Sequence, residues 1–181
     1  MDLISDRLVF KRMSSADFPF YSSLVMNGEV MKYITGKSLS HEEAIQRFQA
    51  ALYAGNGYQE AGFFIAETRL DTKLIGVVKL VRLADQRAEI GYMLLPQFWG
   101  KGFASEMVER MIILAKEKKL AAEIIGIIDP SNPASIRVLT KFGFCLYDTG
   151  QIDGLDAAYY KLELLKLYSA NSKKKGLVMP G

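Results

Sequence analysis

The chain has 181 residues, half of them apolar, a formal net charge of +3, one cysteine and one histidine. This length predicts a single domain with a sizeable core, and the lone cysteine and histidine exclude an internal disulfide and a cysteine- or histidine-rich metal site. Since no apolar run approaches the length of a membrane span and the first residues lack a signal-peptide pattern, we expect a soluble, cytoplasmic protein without a membrane partner.

Part of the weak positive charge lies near the C-terminus, at Lys173, Lys174 and Lys175. A short run of this kind is typical of a solvated tail, so we expect no nucleic-acid partner. From Ser169 onward the apolar periodicity ends. The sequence therefore predicts one domain over residues 1–168 and a flexible C-terminal tail over residues 169–181.

The first third of the chain predicts a strand over residues 7–13 and a helix over residues 18–26. A second helix begins at Ser40, because Ser40 with Glu43 three residues later forms a capping box. His41 then belongs to the first turn of this helix rather than to a reaction centre. Its apolar face is expected to comprise Ala44, Ile45, Phe48, Leu52 and Tyr53, and the helix ends at the glycines of residues 55–57.

The middle of the chain predicts three strands joined by short turns, over residues 62–68, 73–83 and 88–95, which indicates an antiparallel meander. Gly91 suggests a bulge in the third strand, and Pro96 ends it because proline has no N–H for a ladder bond. Glycines follow at Gly100 and Gly102, and apolar residues then recur at helical spacing.

An isoleucine-rich strand over residues 122–128 follows this helix and should lie parallel to the strand before the helix. Another helix starts near Asn132 and ends at Gly143, and strands over residues 144–149 and 157–167 close the domain. The fold class is thus α/β (α+β), a single domain with a mixed twisted sheet of six or seven strands. The sheet is antiparallel in its first half and carries helices on both faces.

The glycine-bearing turn between the third strand and the long helix points backbone N–H groups at one spot, which favours a phosphate. A P-loop is excluded, because it would need glycine at Leu95 and serine or threonine at Gly102. A dinucleotide fingerprint matches only in part, since Ser105 stands at its third small position and a meander precedes the turn.

The segment QFWGKGFA, residues 97–104, closely resembles the Q/R-x-x-G-x-G/A pyrophosphate loop of the GNAT superfamily of acetyl-CoA-dependent N-acetyltransferases. The segment NPASIRVLTKFGF, residues 132–144, is similar to the N-x-x-S/A…K-x-G-F helix and strand of that superfamily. The order of elements matches across residues 5–167. Asp6-Arg7-Leu8, Lys11-Arg12 and Ser135 are most similar to the branch that acetylates the N-terminal amines of ribosomal proteins.

The resemblance implies an acyltransferase with acetyl-CoA as the acetyl-donating cosubstrate, an N-terminal peptide or a small molecule as amine acceptor, and a monomer or homodimer. It places pyrophosphate on the glycine turn and pantetheine along the third strand, where the parallel neighbour must splay away. The implied cofactor-binding residues are Met93, Leu94, Leu95, Gln97, Trp99, Gly100, Lys101, Gly102, Phe103, Ala104, Ser105, Asn132, Arg137 and Lys141. Asn132 has the alternative role of positioning its helix. Lys101, Arg137 and Lys141 are considered for the adenosine-side phosphates, and the alternative for each is a solvated side chain.

For the catalytic base we choose Glu89, which alternates onto the same face as Gly91 and Met93. In the resembling branch a glutamate in an A-E-I-G-Y stretch lies near the acceptor amine. The alternative is a surface glutamate paired with Arg87. The oxyanion is expected to meet a backbone N–H near Met93 or Leu94.

For the proton donor, Leu139 stands where many superfamily members carry a tyrosine. Ser135 is the replacement that the branch suggests, unless its hydroxyl only caps its helix. Tyr92 and Tyr147 are further donors, for which packing is the expected role. Cys145 is expected to be an inert buried thiol, so we predict direct transfer in a ternary complex.

Acceptor specificity is expected from the first two helices, the loop over residues 55–61 and the hairpin over residues 150–156, since binding residues gather on loops. Aromatic candidates for this region are Phe20, Tyr33, Tyr58 and Phe64, although core packing is the expected role of most of them. Two other hypotheses are an acyl-CoA-binding module without turnover and a nucleotide-binding regulator.

Overall fold

The structure is a computed structural model that describes residues 3–54 and 60–164. Its strands are β1 (Leu3–Ile4), β2 (Leu8–Arg12), β3 (Gly62–Thr68), β4 (Leu74–Arg82), β5 (Arg87–Leu94), β6 (Glu123–Ile128), β7 (Cys145–Ile152) and β8 (Leu155–Glu163). Its helices are α1 (Phe18–Val25), α2 (Gly28–Met31), α3 (His41–Ala54), α4 (Phe103–Glu117) and α5 (Pro133–Lys141). The predicted glycine stop at 55–57 and the predicted tail over 169–181 lie outside the described residues.

All strands form one sheet in the order β1-β2-β3-β4-β5-β6-β8-β7. Every neighbouring pair is antiparallel except β5 and β6, which run parallel. The predicted meander, the parallel strand after the long helix and the final hairpin are confirmed. Within the described residues the sheet has eight strands rather than six or seven, because Leu3–Ile4 adds a ladder of two residues, too short to show periodicity in the sequence.

Helices cover both faces of the sheet, as predicted, because apolar side chains point alternately to either side of its strands. Ile90 and Leu94 of β5 belong to the cluster that packs against α4 and α5. Ile65 and Val77 belong to a second cluster, which packs against α1, α2 and α3. Among the described residues, none of the helices combines the length and apolar character needed to cross a bilayer.

The parallel ladder between β5 and β6 ends early. It pairs Arg87 with Glu123 and continues only to Ile90 and Gly126, although β5 and β6 both extend further. Each strand keeps its other neighbour beyond this point, β4 for β5 and β8 for β6. A gap therefore opens between the two strands at their carboxyl ends.

The predicted bulge at Gly91 is wrong. The register between β4 and β5 is unbroken from Gly76 opposite Leu94 to Arg82 opposite Ala88. Gly91 instead makes room for a neighbouring side chain, since a Cβ added there would lie 2.7 Å from Lys79 Cε.

Two expectations about exposure are also wrong. Cys145 is exposed rather than buried, because β7 is the outermost strand and all its residues are solvent-exposed. Tyr53, expected on the apolar face of the predicted helix that begins at Ser40, is 78% exposed on α3, and Ala51 is buried there instead. The capping box of this helix is confirmed: Ser40 N–H donates to Glu43 Oε2 (2.7 Å) and Glu43 N–H donates to Ser40 Oγ (3.2 Å).

The N-terminal segment is tied to the start of α4 through one carboxylate, that of Glu106. Its Oε1 accepts from the Arg7 N–H (2.7 Å) and the Ser5 hydroxyl (2.8 Å), and its Oε2 accepts from Arg7 Nε (2.7 Å). Arg7 also donates to the Lys101 carbonyl (3.0 Å) and stacks over the Phe103 ring, 4.3 Å from the ring centre. We call these contacts the Arg7–Glu106 latch.

Burial favours the protonated form of Glu106, but the bonds from the Arg7 N–H, the Ser5 hydroxyl and the Arg7 guanidinium outweigh it, so the pKa of Glu106 lies below its ordinary value. A carboxylate with a lowered pKa stabilises the fold above its unfolded pKa, about 4.3, and this stabilisation is lost as pH falls through the folded pKa.

We therefore expect the urea midpoint of the wild-type protein to fall as pH is lowered from neutral to about 3, and Glu106→Gln to show a shallower fall. The matched control is Glu109→Gln, which changes an exposed carboxylate on the same helix. Identical pH dependence for Glu106→Gln and the wild type would contradict the latch.

Candidate functional site

The gap between β5 and β6 opens into a cavity of about 510 Å³. The cavity has α5 and the start of α4 on one side of the sheet and α2 on the other, so it passes through the sheet. Its lining residues are Glu29, Val30, Tyr33 and Ile34 around α2; Ile90, Gly91, Tyr92, Met93 and Leu94 on β5; Phe98, Trp99, Gly100, Gly102, Phe103, Ala104 and Ser105; Gly126, Ile127, Ile128 and Asp129; and Asn132, Ala134, Ser135, Arg137, Val138, Leu139 and Lys141.

The glycine turn, residues 99–102, leads from β5 into α4. Trp99 is held in place by its indole N–H, which donates to the Leu94 carbonyl at 2.9 Å. Gly100 and Gly102 have φ angles of 72° and 79°, in the left-handed region that favours glycine. Since Glu106 N–H makes the first helical bond, to Gly102 O at 3.1 Å, the N–H groups of residues 103–105 have no intrahelical acceptor. They lie at the positive end of the α4 dipole, where an anion is stabilised.

The edge of β5 offers backbone groups to the gap. Leu95 N–H donates to the Ile75 carbonyl of β4 at 2.9 Å. Because an antiparallel ladder alternates, the odd-numbered residues of β5 bond to β4 and the even-numbered ones face β6. Beyond the last pair with β6, the groups that face the gap belong to Tyr92 and Leu94. The backbone groups expected to be open at Met93 and Leu95 face β4 instead.

The first turn of α5 borders the gap opposite β5. Asn132 Oδ1 accepts from the Ser135 N–H at 3.1 Å and forms the N-cap of the helix, so the Ser135 hydroxyl is not the capping group. Arg137 and Lys141 line the cavity further along α5. Leu139 is buried against the backbone of β6, where a Cβ on Gly126 would lie 2.4 Å from Leu139 Cδ1.

Tyr92 reaches from β5 into the gap. Its hydroxyl oxygen is buried and makes no hydrogen bond within the described part of the chain. Burial raises the pKa of the Tyr92 phenol, and the nearby Ser135 hydroxyl lowers it in part without reaching hydrogen-bond geometry. Leaving a buried hydroxyl unpaired costs roughly 1–3 kcal/mol. Tyr92 is therefore a donor without a partner in the wall of the cavity.

Glu89 lies on the α2 side of the sheet, two residues before Gly91. Its carboxylate forms an ion pair with Lys79 of β4, whose side chain crosses Gly91. Arg87, the partner that the sequence suggested for Glu89, instead pairs with Asp85, with 3.8 Å between Arg87 Nη2 and Asp85 Oδ2. Glu89 is 22% exposed and does not line the cavity itself.

Most of the predicted site residues come together around this cavity, although Leu95, Gln97, Lys101 and Glu89 do not line it. Among the aromatic candidates for the acceptor region, Tyr33 lines the cavity, Phe20 packs in the α1–α3 cluster and Phe64 lies in the core. Tyr58 lies outside the described residues. Sequence reasoning missed the contribution of α2, because a helix of four residues has no periodicity to detect.

Within residues 3–54 and 60–164, no group of histidine, cysteine or acidic side chains is arranged to hold a metal ion. The site thus combines a turn that favours an anion, an open strand edge and the hydroxyl groups of Tyr92 and Ser135, which suits a phosphate-bearing ligand with amide groups in its chain.

Comparison with known proteins identifies the class to which this site belongs. The sequence profile of the acetyltransferase (GNAT) domain matches residues 7–145, and the chain belongs to this family. It is 34% identical to the uncharacterised N-acetyltransferase YoaA of Bacillus subtilis over 148 residues, which cover 78% of this chain and 81% of that protein.

Solved structures share the fold. The chain superposes on spermidine N-acetyltransferase from Vibrio cholerae, in complex with CoA and spermine, with a TM-score of 0.75 and 19% identity, covering 91% of this chain and 99% of that one. The RimL ribosomal L7/L12 α-N-protein acetyltransferase, in complex with coenzyme A, gives a TM-score of 0.75 and 18% identity, covering 90% and 98%. The protein is an acetyl-CoA-dependent acetyltransferase.

A substitution in the glycine turn tests whether this turn binds the cofactor. Apart from its chain neighbours, no atom of the described residues lies within 4 Å of a Cβ at Gly100. Gly100→Ala therefore adds backbone strain of about 1–2 kcal/mol and places a methyl group where a phosphate would lie. Gly154→Ala is the matched control, since Gly154 has φ 80°, equal open space and a position in the β7–β8 hairpin.

We expect both variants to lose similar thermal stability, while only Gly100→Ala binds CoA at least about tenfold more weakly by calorimetry. Equal CoA affinity in Gly100→Ala and Gly154→Ala would contradict a phosphate site at this turn.

Proposed function

We propose that the protein acetylates a primary amine, either a protein N-terminus or a small-molecule amine, by direct transfer from acetyl-CoA in a ternary complex in the cytoplasm. The observation that carries this proposal is a single cavity that passes through the sheet from the glycine turn to α2. A thioester that enters from the α4–α5 side and an amine that enters from the α2 side can therefore meet at the edge of β5, in the proximity that transfer requires.

The open groups of the site match the parts of the cofactor. The pyrophosphate binds the N–H groups of the glycine turn and of residues 103–105. The amides of the pantetheine arm pair with the backbone of Tyr92 and with the Leu94 carbonyl as an added strand. Arg137 and Lys141 line the cavity and are placed for the phosphates on the adenosine side, whereas Lys101 lies outside it.

The α2 side is suited to a cationic amine. Glu29 supplies a carboxylate beside Tyr33 and two aliphatic side chains. The β7–β8 hairpin reaches the same region, since Leu155 Cδ2 lies 3.6 Å from the position of a Cβ on Gly36. The structurally similar enzymes named above are a spermidine N-acetyltransferase and a ribosomal-protein α-N-acetyltransferase, and the acceptors of both are amines.

In the proposed reaction, Glu89 takes the amine proton, directly or through a water molecule, because it shares the α2 side of β5 with Gly91. The Leu94 N–H, which faces the gap, stabilises the tetrahedral oxyanion. Ser135 donates to the leaving thiolate. Cys145 lies on the outermost strand and does not line the cavity, which supports direct transfer over an acetyl-cysteine intermediate.

An acceptor screen tests the proposal. We expect thiol release from acetyl-CoA with at least one member of a panel of N-terminal peptides, polyamines and aminoglycosides, at a rate well above hydrolysis. CoA binding without thiol release for any amine would favour the alternative, a binding module without turnover. An acetylated Cys145 found by mass spectrometry in the absence of acceptor would contradict direct transfer.

Glu89→Gln tests the base. Loss of a general base lowers kcat by roughly 100-fold or more, with little change in CoA affinity. Glu123→Gln is the matched control, because Glu123 is also a half-buried strand carboxylate paired with a lysine, Lys161 at 3.5 Å. Full activity in Glu89→Gln would remove Glu89 from the mechanism.

A further inference from the structure

The hydroxyl of Tyr92 is the one buried side-chain oxygen in the described part of the chain that has no hydrogen-bond partner. Phenylalanine would fill the same space without the cost of burying an unpaired hydroxyl. Packing alone therefore does not account for a tyrosine at this position, whereas a ligand-dependent hydrogen bond does.

The position of Tyr92 points to the leaving group. Ile90 is the last residue of β5 that pairs with β6. Tyr92 is the next residue whose side chain points to the same face of the sheet as that of Ile90. Its ring therefore lies in the mouth of the gap, opposite the first turn of α5. Tyr92 and Ser135 both line the cavity from opposite sides of this gap.

Ser135 is free to complete a chain of hydrogen bonds. Asn132 already caps α5, so the serine hydroxyl is not needed for that purpose. A hydroxyl oxygen accepts one hydrogen bond while donating another, and rotation about the Cα–Cβ bond moves it between staggered positions. Because burial raises the pKa of Tyr92, the phenol keeps its proton and enters such a chain as the donor.

We propose that Tyr92 is a positioning residue for the leaving group: its hydroxyl donates to Ser135 Oγ and thereby aims the Ser135 O–H at the sulfur of coenzyme A. As the C–N bond forms and the thioester C–S bond breaks, the sulfur leaves as a thiolate held by this hydrogen bond, and the amine proton goes to Glu89. The thiolate is thus met by an aligned donor, and hydrogen bonds in such a chain strengthen one another. The inference rests on the proposed function. It assigns to Tyr92 and Ser135 together the hydroxyl that a tyrosine would supply at the position of Leu139.

Tyr92→Phe removes only the hydroxyl. We expect kcat to fall about tenfold, the effect of one lost transition-state hydrogen bond, with KM for acetyl-CoA within about twofold of the wild type. Thermal stability should be unchanged or higher, because an unpaired buried group has been removed. Tyr159→Phe, a half-buried tyrosine of β8 outside the cavity, is the matched control and should keep full activity.

A double-mutant cycle separates positioning from packing. If Tyr92 acts through Ser135, the variant Tyr92→Phe/Ser135→Ala loses no more activity than Ser135→Ala alone. Unchanged kcat in Tyr92→Phe, or losses that add in the double variant, would overturn the proposal. A lower kcat accompanied by lower thermal stability would equally point to packing and overturn it.

Binding supplies a readout that needs no acceptor. At about pH 9, where much of a thiol is ionised, the wild type should bind CoA more tightly than desulfo-CoA, and Tyr92→Phe should lose most of this preference. If Tyr92→Phe keeps the full preference for CoA over desulfo-CoA, the inference is overturned. If the wild type shows the preference but transfers acetyl to no amine, the proposed function fails while the sulfur contact stands.

Discussion

The site depends on the early end of the parallel ladder between β5 and β6. Beyond Ile90 and Gly126 each strand is held only by its other neighbour, so separating them costs few backbone hydrogen bonds. Leu139 of α5 lies directly on Gly126, where no larger residue would fit without displacing it. The helix is thus seated on the end of β6, and the carboxyl ends of the two parallel strands form a crevice where an α/β sheet binds ligands.

The crevice brings together elements that are distant in the chain. The Arg7–Glu106 latch connects the first strands to the start of α4 and holds the glycine turn through the Lys101 carbonyl. Trp99 closes the same turn from the other side by bonding to the Leu94 carbonyl. The N–H groups proposed to bind a phosphate are therefore positioned by bonds on both flanks, which reduces the entropy lost on binding.

In the proposed mechanism, the two sides of the sheet divide the chemistry of acetyl transfer. Glu89 and Glu29 lie on the α2 side, where an amine would enter, and the hydroxyl groups of Tyr92 and Ser135 lie on the α5 side. Leu139 packs against β6 and has no hydroxyl group. A hydrogen-bond donor for the sulfur therefore has to come from other residues around the gap. Tyr92 fits this need because its hydroxyl is already desolvated and unpaired.

The sequence by itself determined the meander, the parallel strand after α4, the glycine turn and the family, because alternation, helical spacing and glycine motifs are local patterns. It did not predict α2, the exposure of Cys145, the pairing of Glu89 with Lys79, or the unbroken register at Gly91. Only the tertiary structure decided these, since each depends on which strand is an edge and which side chains cross a ladder. The same holds for Tyr92, since the burial of its hydroxyl depends on how β5 packs against the elements around the gap.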